Sequence, residues 1–237
     1  LAVPTCPPPS MMLLIVGLAS LVSTRVSASV PSFELDARTA TKPGVKMPAL
    51  LLGTGPPGTT PASGDCWQYP GSASAHYYNK TYDDCGNVSV VSTSTWISLG
   101  GTGIDTASTY LDETGIALGL KKSGVARSDV FITSKVGPYW PLGYDDTLTQ
   151  FKSIQEDFGD PAFVVDLLLI HWPSGGGASS DPECHPGGNA TSCRISTWKA
   201  MLHILATGGA RAVGAFLQYI LQRGRIRRLH HPLLACV

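Results

Sequence analysis

The sequence predicts an α/β fold, a parallel sheet covered by helices, and three observations carry that expectation. Strand-like and helix-like segments alternate from Val88 onward, the strand-like segments are near-continuous apolar runs, and Gly and Pro gather in a few loops. With 237 residues and 43% hydrophobic content the chain can bury a substantial core as one domain with appendages. Its 17 basic and 17 acidic side chains cancel, which gives no reason to expect a nucleic-acid partner.

The chain opens with a Pro-rich stretch, Leu1 to Ser10, followed by an apolar run of about a dozen residues from Met11. That run is too short to cross a bilayer as a helix and ends in Val26-Ser-Ala28, a small-residue site suited to signal peptidase. Residues 1–28 are therefore expected to be a leader with a signal peptide, Met11 to Ala28, cleaved after Ala28. A buried or anchoring helix and a bipartite plastid leader are the alternatives. Residues 29–46 read as a polar connector.

The first core strand is expected at Leu50 to Thr54, within the run Met47 to Gly55. Residues 56–86 are rich in Pro, Gly, Ser, Tyr and Asn without sustained period, so they read as an insertion. The spacing Gly53-x-Gly55-x-x-Gly58 matches the dinucleotide fingerprint literally. It is expected to be a decoy, because that fingerprint must open a helix and Pro56, Pro57 and Pro61 oppose one. Val88, Val91, Trp96 and Leu99 then suggest a helix of weak propensity. After it come a strand at Gly103 to Thr106, a helix at Glu113 to Lys122 and a strand at Val130 to Lys135. A helix at Asp145 to Phe158, a fully buried strand at Val164 to Ile170, a helix at Ser196 to Thr207 and a strand at Ala212 to Phe216 complete five strands. Residues 174–193 form a second insertion. The tail, 217–237, carries the basic run Arg223 to Arg228 and reads as solvated or extraneous.

Cysteine and sequon placement point to an oxidising compartment. Cys66 and Cys85 bracket the first insertion and Cys184 and Cys193 bracket the second, so each pair could close locally. Spans of 19 and 9 residues would each restrict the unfolded chain by about 3 kcal/mol. A metal site on Cys184, His185 and Cys193 lacks a fourth ligand at zinc spacing, and no metal is expected. Cys6 falls in the leader and Cys236 is left unpaired. The acceptor sequons at Asn79, Asn87 and Asn189 agree with a secreted or lumenal glycoprotein; a cytoplasmic protein is the alternative.

Four titratable residues close buried parallel strands or follow them: Asp105, Tyr110, Lys135 and His171. Singly each has a bland reading, a core histidine or a snorkelling lysine. Four such groups at one end of a sheet have a large desolvation cost unless they serve one another, which makes the set a candidate site.

The context of these residues resembles the aldo-keto reductase family. Gly103-Ile-Asp-Thr-Ala-Ser-Thr-Tyr110-Leu-Asp-Glu113 is similar to the segment running through that family's catalytic Asp and Tyr. Ser123 to Lys135 is similar to the segment ending in its catalytic Lys, and Leu169-Ile-His171-Trp-Pro173 to the strand end bearing its His. Met47-Pro48 with Leu52 to Gly55, Gly143 to Leu148, and Thr197 to Met201 leading to Arg211-Ala-Val-Gly214 agree with it. The likeness covers roughly Val45 to Phe216.

The resemblance implies a TIM-type (β/α)8 barrel over residues 47–216, truncated after about five strands, and an oxidoreductase that reduces an aldehyde or ketone with NADPH. Tyr110 would donate a proton to the carbonyl oxygen, Lys135 would lower the phenol's pKa, Asp105 would pair with Lys135, and His171 would orient the carbonyl. Asp105 and His171 would neighbour the nicotinamide, and Trp172 would touch substrate. The family's Ser-Asn pair after the strand is replaced here by Ala215-Phe216, and nothing in 217–237 resembles the family's remaining strands. On that ground the C-terminus is expected to be truncated or misread, and the chain by itself to show no NADPH-dependent reduction of a generic aldehyde, because the missing strands carry most of the cofactor contacts. A catalytically silent fragment or secreted binding module, including a sugar binder using the Cys66 to Cys85 loop, is the competing reading.

Overall fold

A computed structural model describes residues 31–35, 40, 44–55, 88–137, 142–172, 181, 182, 184 and 190–216. The leader, Cys66 and Cys85, the three sequon asparagines and the tail from Leu217 lie outside the described residues.

Two short strands, β1 (Ser32–Glu34) and β2 (Lys46–Pro48), pair antiparallel. The five-stranded sheet consists of β3 (Leu52–Gly53), β4 (Gly103–Asp105), β5 (Phe131–Val136), β6 (Leu167–Ile170) and β7 (Val213–Ala215). Its spatial order is the chain order and every pairing is parallel. Helices α1 (Val88–Ser98), α2 (Glu113–Ser123), α3 (Tyr144–Asp157) and α4 (Ala190–Ala206) precede β4, β5, β6 and β7 in turn. Sequential parallel strands joined by helices are the arrangement of successive units of a β/α barrel.

Both faces of the sheet are covered, which is why its strands lack alternation: all six residues of β5 and all four of β6 are buried. Ile104, Ile132, Val136, Leu168, Ile170 and Val213 face the helices and pack with Ile116, Phe151, Ile154, Met201 and Ile204. Each such side chain contributes roughly 1.5–3 kcal/mol by leaving water. On the other face Phe131, Leu167 and Leu169 meet Leu35, Val45 and Met47 from the β1–β2 hairpin. The segment expected to be a polar connector therefore supplies a strand and two plugging side chains. Its few apolar residues are too short a pattern to show a hairpin before the sheet exists to receive them.

The five strands and the helices α2 and α3 fall where the sequence places them, within two residues or so at most ends. Helix α4 begins at Ala190, six residues before the expected Ser196, because the Gly- and Asn-rich composition there reads as loop. Helix α1 exists, but with another face inward. Val91 is 51% and Leu99 77% exposed, while Ser89 and Thr93 are fully buried. These small residues let α1 approach α2 closely; a Cβ on Gly119 would stand 2.6 Å from Thr93 Cβ and 2.8 Å from the Val90 carbonyl. Trp96 anchors the helix by donating from Nε1 to the Gly103 carbonyl at 2.9 Å. Among the described residues no helix is long and apolar enough to cross a membrane.

Candidate active site

Parallel register brings the C-terminal ends of β4, β5 and β6 level: Asp105 opposes Thr133, and Lys135 opposes Leu169. Asp105 ends β4, Lys135 lies next to the end of β5, and His171 follows β6, its amide bonded to the Val136 carbonyl at 2.8 Å. A 3₁₀ turn, Ser108–Tyr110, lifts Tyr110 over this edge. The turn is stitched to β5 by Thr106 N to Thr133 O at 2.9 Å and by Ser108 Oγ to Lys135 O at 3.0 Å.

All four expected residues meet. Lys135 Nζ lies 2.9 Å from Asp105 Oδ1 and also donates to the Thr106 carbonyl at 2.9 Å. Tyr110 Oη and His171 Nε2 are 3.5 Å apart, with the two rings edge to face. The Lys135 ammonium is 5.2 Å from the Tyr110 ring centroid, and the other imidazole nitrogen, Nδ1, is 3.5 Å from Thr109 Oγ1. Lys135 and His171 are buried, whereas the Asp105 side chain is 36% exposed, so the ion pair bridges core and mouth. Trp172, the expected substrate contact, is 45% exposed beside His171.

The electrostatics differ from expectation in one respect. Lys135 was to lower the Tyr110 phenol; instead burial, and then the carboxylates of Asp105 and Asp112, push it up to about 12. The ammonium is taken up by Asp105 and Thr106, which leaves the phenol facing negative charge. Burial, with Lys135 adding to it, pushes His171 down to about 3, so the imidazole is neutral at physiological pH.

Three contributors were not legible as such in the sequence. Gly55 lies against Tyr110: a Cβ there would be 2.9 Å from Cζ and 3.1 Å from Oη, so the glycine of the decoy fingerprint makes room for the phenol. Phe216 continues the register, its amide bonded to the Ile170 carbonyl at 2.8 Å. Its ring centroid sits 6.3 Å from that of His171 and 5.9 Å from Lys135 Nζ. Asp112, fully buried behind the turn, accepts from Thr106 Oγ1 at 2.6 Å. The preceding motif could have flagged Asp112 only as a helix cap.

The described residues of the second insertion lie against α3 and α4. Cys184 and Cys193 form a disulfide with an S–S distance of 2.07 Å, the local pairing expected, and a bonded pair leaves no thiolate for a metal. Nearby, Asp181 Oδ2 accepts from Tyr144 N at 3.1 Å and from Ser196 Oγ at 2.6 Å, tying α3 to α4. Among the described residues no group of His, Cys, Asp and Glu is placed to hold a metal ion.

Comparison with known proteins identifies the family. The profile of the aldo/keto reductase family matches residues 89–216. Glyoxal reductase of Bacillus subtilis is 36% identical over 135 residues, 54% of this chain and 40% of its own length. Morphine 6-dehydrogenase of Pseudomonas putida is 37% identical over 111 residues, covering 47% and 32%. An aldo/keto reductase from Brucella melitensis superposes with a TM-score of 0.54 at 25% identity, over 82% of this chain and 57% of that one. A Bombyx mori aldo-keto reductase in complex with NADP gives 0.53 at 22% identity, over 84% and 56%, a likeness of fold. The chain spans less than half the length of the curated relatives it matches.

Proposed function

Because the chain belongs to the aldo/keto reductase family, an oxidoreductase family whose fold is the (β/α)8 barrel, we propose that it serves an NADPH-dependent reduction of an aldehyde or ketone to an alcohol at the Asp105–Tyr110–Lys135–His171 edge. The observation that carries the reading is the pairing of Tyr110 Oη with His171 Nε2 at 3.5 Å, backed by the ion pair of buried Lys135 with partly exposed Asp105.

The donor set fits the nicotinamide end of NADPH and a carbonyl beside it: a phenol and an imidazole converge on one point, and a partly exposed carboxylate flanks them. Asp105 and His171 would neighbour the nicotinamide, and Trp172 the substrate. NADPH, when bound, supplies a hydride. Tyr110 supplies the proton. A phenol held at about 12 stays protonated at neutral pH, and the alkoxide oxygen that forms on reduction is the stronger base, so the transfer runs from Oη to that oxygen. His171, neutral and in the tautomer with its proton on Nε2, donates to the same oxygen and fixes its position. Lys135, paired to Asp105, offsets part of the negative charge at the edge. The Cys184–Cys193 disulfide favours an oxidising compartment, and a secreted or lumenal location belongs to the proposal.

The second reading, a catalytically silent binding module, is favoured by Phe216, whose ring stands beside His171 and Lys135 where the family resemblance expects a Ser-Asn pair. The deciding experiment is NADPH oxidation by the full chain with glyoxal as acceptor, run beside Tyr110→Phe. Turnover that collapses in the variant while NADPH affinity holds supports the reductase. Equal rates in the two proteins refute the role of Tyr110, and neither turnover nor NADPH binding in the parent selects the silent module.

A further inference from the structure

Asp112 stands at the N-cap of α2 and does not cap it. Its carbonyl accepts from Ile116 N at 2.9 Å, as the first helical carbonyl should, but its carboxylate makes no bond to the helix amides. Aspartate is among the strongest cappers, and capping is its usual work at that position. Here the side chain turns the other way. Oδ1 accepts from Thr106 Oγ1 at 2.6 Å in a fully buried contact, and Oδ2 has no hydrogen-bond partner among the described residues.

Thr106 is itself part of the edge that carries the reaction. Its carbonyl accepts from Lys135 Nζ and its amide donates to Thr133. The bond between Thr106 and Asp112 therefore closes residues 106–112 into a loop, and Tyr110 rides in that loop. Leu111, between Tyr110 and Asp112, has φ 59°, the sole non-glycine at positive φ among the described residues, and it is completely buried. A left-handed leucine persists where its surroundings over-determine the backbone, and such strain gathers at functional positions.

We propose that Asp112 is a positioning residue for the reduction assigned above: through Thr106 it closes the turn that aims the Tyr110 phenol, and it sets a carboxylate at the end of that turn. The proposal rests on that functional reading for its meaning, and on the geometry of the turn for its substance. The charged and titratable groups that interact with Asp112 are Lys135 on β5, Tyr110 in the turn and Glu113 on α2, with the Thr54 hydroxyl beside β3. Burial pushes the Asp112 carboxyl up to about 7 against the opposing pull of Thr106, Thr54, its own amide and Lys135. Burial also raises Glu113, with Asp157 and then Asp112 adding to that rise against the lowering by Ser134 and Lys135. The protonation of Asp112 thereby sets how much negative charge the phenol sees.

Two substitutions separate charge from closure. Asp112→Asn retains the shape and an oxygen for Thr106 while removing the charge, and Thr106→Val removes the bond while retaining the carboxylate. The ultraviolet difference between each protein and its Tyr110→Phe counterpart isolates the ionisation of Tyr110. In Asp112→Asn the pH of half-ionisation falls, because a negative charge facing the phenol is gone. With glyoxal and NADPH, Thr106→Val loses about tenfold in kcat with KM little changed, the signature of a misplaced donor, and Thr106→Ser recovers most of it. An unchanged kcat in Thr106→Val overturns the closure, and an unchanged Tyr110 titration in Asp112→Asn overturns the part played by the carboxylate's charge. That titration needs no turnover, so a shifted midpoint in a chain without reductase activity upholds the role of Asp112 toward the phenol and sinks the reductase reading alone.

Discussion

The two ends of the parallel sheet use charge in opposite ways. At the N-terminal end Asp166 is buried and saturated: it accepts from Arg127 at 2.7 Å, from Arg211 at 2.6 Å and from the Ile132 amide at 2.9 Å. Arg127 also donates to the Val130 and Val164 carbonyls, so one ion cluster fastens the start of β5 to the segments that begin β6 and β7. At the C-terminal end a single ammonium, Lys135, serves three carboxylates: Asp105, Asp112 and Glu113. One oxygen each of Asp112 and Glu113 is buried without a hydrogen-bond partner among the described residues. The contrast teaches that burial of charge is not one device. Around Asp166 it holds strands together; at the other end burial, with Asp105 and Asp112, raises the phenol, and burial, with Lys135, lowers the imidazole, at a cost in stability.

The sharpest way to break that comparison is to strip the reactive end of its donor. Tyr110→Phe is expected to lower turnover about a thousandfold, within the span of general acid catalysis, with the denaturation midpoint preserved; steady-state kinetics and urea melts read the two separately. A melt that collapses along with turnover would make Tyr110 structural.

Stability against pH distinguishes the ends next. Folding raises the Asp112 carboxyl from its unfolded value of 3.8 to about 7, so the folded state holds the proton more tightly. Its contribution to stability is present below about 3.8 and is lost as pH rises toward and through about 7, an effect on the order of a few kcal/mol. Asp112→Asn should therefore gain on the parent between pH 4 and pH 8 in urea midpoints. His171 has the reverse sign. Its folded value near 3 lies below the unfolded 6.5, so the parent loses stability as pH falls from 6.5 toward 3, and His171→Asn should gain on it over that acid interval. Parallel curves for parent and variants would remove the tension attributed to this end.

At the N-terminal end, Asp166→Ala should cost about 3 kcal/mol at neutral pH, because two arginines and the Ile132 amide lose one shared acceptor. A neutral result there would mean that the cluster is ornamental. The smallest expected effect sharpens the site itself. Gly55→Ala should change stability by less than about 1 kcal/mol, since the colliding atoms are the far end of a side chain that can swing away. It should lower turnover about tenfold by moving the phenol, measured as kcat at saturating carbonyl.

Much of this was legible along the chain. The five strands, their order and the residues at their ends follow from apolar runs and the polar residues that stop them, and both are local properties of a strand. The family resemblance added that Asp105, Tyr110, Lys135 and His171 belong together, and the Cys184–Cys193 pairing followed from two cysteines bracketing one short insertion.

What the tertiary structure alone decided depends on distant neighbours. The inward face of α1 is Ser89 and Thr93, not Val91 and Leu99, because Gly119 of α2 admits a close approach that no periodicity within α1 announces. The β1–β2 hairpin forms because Phe131, Leu167 and Leu169 offer it a face to cover. The Tyr110 phenol is raised by burial and then by the carboxylates of Asp105 and Asp112, and Asp112 leaves its helix for Thr106. Strand period is set by alternation between adjacent residues, whereas packing phase and protonation are set by whatever surface and charge folding brings within a few ångströms, and those partners lie tens of residues away in the chain.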